Sequence, residues 1–176
     1  MKEREVKVLN IDKEEIERKL IALGATLIKD ENQINYRFET EDGFLKKTYN
    51  GYLRIRITHN LLTGQTTNTL TFKRSLKRNT LRVNEETETE ISDWENTAKI
   101  LELLGYRRKR PGYKHRKSYV YDNITFEIDT WDEETYSKPY LEIEMSSEAD
   151  LEKAILLLDL DRSQVTTKPI DELSKE

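Results

Sequence analysis

Glu3-Arg4-Glu5-Val6-Lys7-Val8 is the stretch on which the reading of this chain turns. Alternate residues of a β-strand point to one side. Glu3, Glu5 and Lys7 therefore share one face, and Val6 and Val8 share the other, where they can be buried. An ordinary half-buried strand puts mixed small polar residues on its wet face. Here two carboxylates and an ammonium stand in line, with roughly 7 Å between alternate residues. Carboxylates held that close repel unless something positive lies between them. A divalent cation such as Mg2+ does this well, because hard cations prefer oxygen ligands. The plainer reading is a solvated strand face with an incidental pattern, so the rest of the chain decides between them.

Moving outward, the pattern repeats. In Leu53-Arg54-Ile55-Arg56-Ile57 the arginines share one face and the aliphatics the other. Lys73 lies with Thr71, opposite Leu70 and Phe72. Glu86, Glu88 and Glu90 line one side of their strand, and Lys114 and Arg116 one side of theirs. Glu127 and Asp129 oppose Phe126 and Ile128; Glu142 and Glu144 oppose Leu141, Ile143 and Met145. Nearly every strand has an apolar face and an ionic one.

Between these strands the sequence marks helices and turns. Asp12-Lys13-Glu14-Glu15 opens a first helix, with Asp12 as N-cap and Glu15 placed as in a capping box. Ile16, Leu20 and Leu23 form its apolar stripe, and Gly24 is a natural stop. A strand is expected at 33–39, turns at Asp42-Gly43 and Asn50-Gly51, and a hairpin of strands 53–58 and 69–74 joined by a loop at 59–66 around Gly64. A strand at 85–91 precedes Ser92-Asp93-Trp94-Glu95, which repeats the capping-box pattern. The helix it opens carries Ala98, Leu101 and Leu104 and stops at Gly105. Residues 107–113 read as a basic loop broken by Pro111-Gly112, followed by strands at 114–121, 124–129 and 140–145. A third helix starts near Ser147 and runs through Leu151, Ile155 and Leu158, and a polar tail follows from Asp159. The order strand, capped helix, Leu-Gly stop, strands occurs from Glu3 and again from Glu85, which suggests two related halves. Many strands with three helices favour an antiparallel α+β fold, with a closed barrel and outer helices as one form of it.

Composition bounds the rest. A chain of 176 residues fits one domain, 1–176, with a real core. It has no cysteine, which excludes disulfides, thiolate metal sites and thiol catalysis. No apolar run approaches the roughly 18 residues that span a membrane, and Met1-Lys2-Glu3 leads into a strand rather than a signal peptide, so a cytoplasmic location without a membrane partner is expected. Charged residues make up 36%, yet the net charge is only −4. A general nucleic-acid binder would be basic overall, so a nucleic-acid partner is not expected. Arg107-Arg108-Lys109-Arg110 reads as a solvated loop rather than an RNA patch, because the net charge is negative. His59 and His115 are too far apart for a zinc motif, and His115 alternates with the ionic positions. Trp94 and Trp131 read as packing residues, with stacking on a base as the other reading of Trp131. There is no P-loop and no serine nucleophile motif.

Two architectures remain open on this pattern. One is a single sheet with a wet face laced by surface ion pairs worth about 0–1 kcal/mol each. The other closes the sheet so that the ionic faces meet in a lumen. Confining so many charges costs several kcal/mol per ion unless they are paired or bind something. Lys7, Arg54, Arg56, Lys73, Lys114 and Arg116 suit a polyphosphate. Glu3, Glu5, Glu88, Glu90, Asp129, Glu142 and Glu144 need a metal between themselves and a phosphate.

The ordered set of these segments resembles the CYTH superfamily, the triphosphate tunnel metalloenzymes. Glu3-x-Glu5-x-Lys7 matches the ExExK signature. Leu53-Arg54-Ile55-Arg56, Leu70-Thr71-Phe72-Lys73, Glu88/Glu90, Lys114-x-Arg116, Asp129 and Glu142-x-Glu144 follow in order, over roughly residues 1–170. The resemblance implies a closed eight-stranded antiparallel β-barrel, an α+β tunnel with helices packed outside. It further implies that such a tunnel would bind a triphosphate with Mg2+ or Mn2+. By position, Glu3, Glu5, Glu142 and Glu144 would be metal ligands, and Glu5, Glu88, Glu90 and Asp129 would act in catalysis. Lys7, Arg54, Arg56, Lys73, Lys114 and Arg116 would hold the triphosphate. The chain looks most like the short prokaryotic branch of class IV adenylyl cyclases and inorganic triphosphatases. It departs from the cyclase-like pattern at Ser137-Lys138-Pro139-Tyr140 and Lys168-Pro169-Ile170, where nucleotide contacts would lie. The expected activity is therefore metal-dependent hydrolysis of a triphosphate. The alternatives are cyclisation of ATP to cyclic AMP and pyrophosphate, and a non-catalytic polyphosphate- or nucleotide-binding module. A homodimer is compatible with the sequence.

Overall fold

The computed structural model describes residues 2–175. Its strands are β1 (Lys2–Val8), β2 (Thr26–Thr40), β3 (Gly51–Asn60), β4 (Thr66–Arg78), β5 (Arg82–Glu90), β6 (Tyr106–Arg108), β7 (Gly112–Tyr121), β8 (Ile124–Trp131), β9 (Tyr140–Glu144) and β10 (Val165–Thr166). Its helices are α1 (Lys13–Ala22), α2 (Phe44–Tyr49), α3 (Trp94–Leu103), α4 (Glu133–Tyr136), α5 (Glu148–Leu158) and α6 (Ile170–Leu173). Eight strands close a ring in the order β1-β5-β4-β3-β2-β7-β8-β9, and β9 pairs back onto β1. All of these pairings are antiparallel. The wet open sheet is thereby excluded, and the closed barrel with helices outside is the fold.

The barrel has its apolar core outside. Val6 and Val8 of β1, Phe126 and Ile128 of β8, and Leu141 and Ile143 of β9 turn outward and are buried. They lie under Ile16 and Leu20 of α1 and Leu151, Ala154 and Leu158 of α5. A second cluster packs Ala98 of α3 on Phe38 and Ile55, with Trp94 stacked 5.1 Å from Tyr36. Burying these side chains is what the aliphatic half of each strand contributes. The ionic halves have only the inside left to occupy.

The helix starts follow their caps. Asp12 accepts from the Glu15 amide at 2.9 Å, and Gly24 ends α1 at φ +79°, a conformation glycine adopts without a Cβ clash. The cap of α3 is Asp93 rather than Ser92, and it accepts from Asn96. The full reciprocal capping box stands at Ser147 and Asp150. Several elements exceed what the sequence pattern outlines. β2 begins seven residues before 33, because its outer half continues to pair with β7 past a bulge between Leu27 and Lys29. Residues 107–113 are not a loop throughout: Tyr106–Arg108 pair with the end of β2, and β7 begins at Gly112. A helical turn, α2, lies between the two turns at Gly43 and Asn50, and Glu39 accepts from its Leu45 and Lys46 amides. The two-halves pattern ends at the helices: α1 leads into a strand of 15 residues and α3 into one of 3.

The tail is structured as well. Val165 and Thr166 pair with β1, and α6 buries Ile170 and Leu173 against Tyr140, Trp131 and Leu9. Asp171 of α6 pairs with Arg37 of β2. Tyr140 is on β9 and Arg37 on β2, strands separated by β8 and β7 in the ring. A helix touching both crosses one end of the barrel.

Candidate active site in the charged tunnel

Period-two alternation and the observed register place the ionic residues along the inside wall. Cα partners run Arg54↔Thr71, Lys73↔Glu86, Glu3↔Asn84, Glu5↔Arg82, Glu5↔Glu144, Lys7↔Glu142, Glu127↔Glu142 and Arg116↔Asp129. Glu5, Lys7, Arg54, Lys114, Arg116, Glu127, Asp129 and Glu142 are all buried.

One wall, from β7 to β1, is a dense ion-pair network. Arg116 grips Asp129 with two hydrogen bonds of 2.6 Å, reaches Glu142 at 3.2 Å and pairs with Glu127. Asp129 also accepts from Lys114 at 3.0 Å and from the Tyr140 hydroxyl at 2.9 Å. Its carboxylate is saturated with donors, which suits orientation of Arg116 better than proton transfer. Lys7 bonds Glu142 at 2.6 Å and lies 3.5 Å from Glu5. The carboxylates of Glu127, Glu142 and Glu144 come within 4.8 Å of one another. Burial, then the charges of Glu127, Glu142 and Glu3, push the Glu144 carboxyl up to about 8. A carboxyl this reluctant to ionise, among oxygen donors this close, is the donor set a hard divalent cation takes.

On the β1–β5–β4 side, Lys73 is shared by Glu86 at 2.7 Å, Glu3 at 3.1 Å and Glu5 at 3.3 Å. Those acids hold the Lys73 ammonium well above the ordinary lysine range against its burial.

The β2–β3 wall differs. Arg56 donates to Asn35 Oδ1 at 2.9 Å and has no acidic partner among the described residues. Burial, with Arg54 and Arg116 nearby, brings the Arg56 guanidinium down to about 10. Arg54 lies 3.8 Å from Glu86 and 4.0 Å from Glu88, too far for hydrogen bonds. Arg54 Nε and Asn35 Nδ2 are buried donors with no partner among the described residues.

The tunnel thus gathers Glu3, Glu5, Lys7, Arg54, Arg56, Lys73, Lys114, Arg116, Asp129, Glu142 and Glu144 as the sequence pattern requires. Two of the assigned residues, Glu88 and Glu90, lie apart from this buried set. The Glu88 side chain is 45% exposed at the rim, where it accepts from Thr71 at 2.5 Å, and Glu90 is exposed at the far end of β5. Both stay on the inward face by register, opposite Thr71 and Thr69, but toward the open end of the barrel, and Glu86 is the β5 acid that meets Lys73. The sequence pattern did not mark Glu86, Glu127, Arg37, Gln33, Asn35, Tyr52, Arg82 or Asn84 as site residues, and marked Tyr140 only within the departure at 137–140. The signal for Gln33, Asn35 and Arg37 was present: they alternate with Ile34, Tyr36 and Phe38. Trp131 is at the α6 end, its indole donating to Tyr140 at 2.9 Å. Gly112 permits this, since a Cβ there would stand 2.9 Å from the Trp131 ring. His115 faces outward to Asp30 at 2.7 Å.

The CYTH domain family matches over residues 1–165. The chain belongs to the CYTH domain family. CYTH domain proteins process triphosphates. No protein in the curated comparison matches the chain. Among solved structures, the PH1012 protein of Pyrococcus horikoshii is 26% identical, with a TM-score of 0.78 and coverage of 97% of this chain and 98% of that one. A Vibrio parahaemolyticus protein provisionally named adenylate cyclase is 13% identical, TM-score 0.76, covering 99% of this chain and 98% of that one. A Hippeastrum protein, provisionally named adenylyl cyclase and described as having a dominant triphosphatase activity, is 17% identical, TM-score 0.67, covering 94% and 90%. At these last two identities the likeness is one of fold. No helix among the described residues is long and apolar enough to cross a membrane.

Proposed function

We propose that this CYTH protein is a metal-dependent triphosphatase that hydrolyses the terminal phosphoryl group of inorganic triphosphate. The observation that carries this reading is Arg56. It is a half-buried guanidinium with no acidic partner among the described residues, beside the buried donors Arg54 Nε and Asn35 Nδ2, which have no partner among them either. Buried donors without partners, beside a cation without an acid, are costly, and an anion of high charge completes them. Arg54, Arg56, Lys73, Lys114 and Arg116 hold the phosphate oxygens and offset the charge that develops in transfer. Glu142 and Glu144, with Glu127 and with Glu3 and Glu5 on the adjoining strand, are the oxygen donors for Mg2+ or Mn2+. The cation supplies Lewis-acid polarisation of the phosphoryl group and a more acidic water. Water adds to the terminal phosphorus, the bridging P–O bond breaks, and phosphate and pyrophosphate are the products.

The tunnel's aromatic residues argue for an inorganic rather than a nucleoside substrate. Tyr52 lies beneath Arg37, which pairs with Asp171, and Trp131 and Tyr140 pack with α6. Inward positions toward the other end are Thr58, Thr69 and Ser118, which offer no ring to a base. Cyclisation of ATP needs the ribose 3′-hydroxyl aligned on the α-phosphorus, which demands a grip on the nucleoside. The test is a product assay with inorganic triphosphate and ATP in Mg2+ or Mn2+. Phosphate and pyrophosphate are expected from triphosphate, faster than any cyclic AMP from ATP, and Glu5→Gln should reduce the rate about a thousandfold or more. Cyclic AMP as the main product, with triphosphate left intact, would overturn the reading in favour of the cyclase. No turnover of any triphosphate would favour a binding module.

A further inference from the structure

Asn84 has no place in the account above, and its surroundings are unusual. It is completely buried, yet neither Oδ1 nor Nδ2 has a hydrogen-bond partner among the described residues. Buried side-chain amides are normally satisfied, and one that is not destabilises the fold. A leucine would fill a similar volume without that cost. Asn84 lies on β5 between Arg82 and Glu86 on the inward face, both of which reach tunnel charges: Arg82 stands 3.6 Å from Glu5, and Glu86 stands 2.7 Å from Lys73. Across the β1–β5 ladder the Cα partner of Asn84 is Glu3. Two residues along the same face of β1, Glu5 has Glu144 as its Cα partner across the β1–β9 ladder. The unpaired amide therefore joins the carboxylate end of the tunnel, not the β2–β3 wall.

We propose that Asn84 is a further oxygen donor to the divalent cation at this end of the tunnel, acting beside Glu3, with its Nδ2 free to donate to a neighbouring carboxylate or phosphate oxygen. The proposal rests on the triphosphatase reading in that it requires a divalent cation among these acids. The chemistry favours an amide here. Mg2+ and Mn2+ take six oxygens, and the carboxylates of Glu3, Glu5, Glu127, Glu142 and Glu144 already supply more negative charge than one cation offsets. A neutral carbonyl oxygen adds a ligand without adding repulsion. The amide stays unpaired in the folded chain because its partners arrive with the ligand.

The experiment is Mn2+ binding to the full chain without substrate, read by electron paramagnetic resonance, for wild type, Asn84→Leu and Asn84→Asp, with melting temperatures in chelator. Asn84→Leu should bind Mn2+ at least fivefold more weakly while melting at or above the wild-type temperature. Asn84→Asp, which keeps an oxygen in place, should bind Mn2+ as tightly as wild type or more tightly. A folded Asn84→Leu protein with less than a fivefold loss overturns the proposal. So does weaker binding by Asn84→Asp, which would show that any change of the side chain loosens the site. If Asn84→Leu does not fold, Asn84→Asp decides by itself. Wild type that binds no Mn2+ overturns the metal reading of the whole tunnel, an outcome distinct from variants that match a binding wild type.

Discussion

Arg116 and Arg56 line the same tunnel and live in opposite surroundings. Arg116 is enclosed by Glu127, Asp129 and Glu142, which hold its guanidinium well above the ordinary range although burial pulls the other way. Arg56 has an amide oxygen for a partner and two arginines for neighbours, and burial with their charges brings it down to about 10. A barrel interior built only to be stable would neutralise both. One wall is closed on itself, and the other carries positive charge with donors to spare. The difference separates a cation already matched by acids in the fold from one whose charge is left for an anion to match.

Three measurements sharpen or break that contrast. The largest effect is expected at Arg116. Arg116→Ala leaves buried carboxylates uncompensated and should lower unfolding free energy by about 3–5 kcal/mol in urea denaturation. Arg56→Ala removes no ion pair, so its stability should stay within about 1 kcal/mol of wild type or rise. Equal losses in the two variants would erase the distinction between the walls. Next in size is ligand-induced stabilisation. Inorganic triphosphate at 100 times its Kd should stabilise wild type by about 2.7 kcal/mol, and monophosphate by much less. Arg56→Ala should bind triphosphate about 10- to 100-fold more weakly, a loss of about 1.4–2.8 kcal/mol. Equal shifts from both anions would mean that the β2–β3 wall answers to ionic strength and not to a triphosphate. The smallest effect belongs outside the barrel. Lys117 bonds Glu17 of α1 at 2.7 Å on the outer surface. Lys117→Met should change stability by about 0–1 kcal/mol and leave triphosphate binding untouched. A larger effect would place part of the functional charge outside the lumen.

How legible these walls were in the sequence depended on range. Alternation is a local property of the backbone, so Glu3, Glu5 and Lys7 had to share a face wherever their strand went, and so did Arg54 with Arg56 and Glu142 with Glu144. The capped helix starts at Asp12 and Ser147 were local as well. Attention to charge concealed Gln33, Asn35 and Asn84, because an inward amide resembles any polar strand residue until the residues across from it are known. Glu86, Glu88 and Glu90 show the limit most plainly. They occupy one face of one strand and read alike.

The sequence by itself determined that most strands have an apolar side and an ionic side, that the ionic sides carry both signs, and that the segments follow in CYTH order. Only the tertiary structure decided that β9 pairs with β1 and turns those ionic sides inward. It also decided that Glu86 meets Lys73 while Glu88 stands exposed at the rim, that α6 crosses one end, and that Arg56 has no acidic partner among the described residues. The physical reason is that face is set by the two-residue period of a single strand. Partnership is set by register and strand tilt between segments far apart in the chain, and no stretch of sequence contains that information alone.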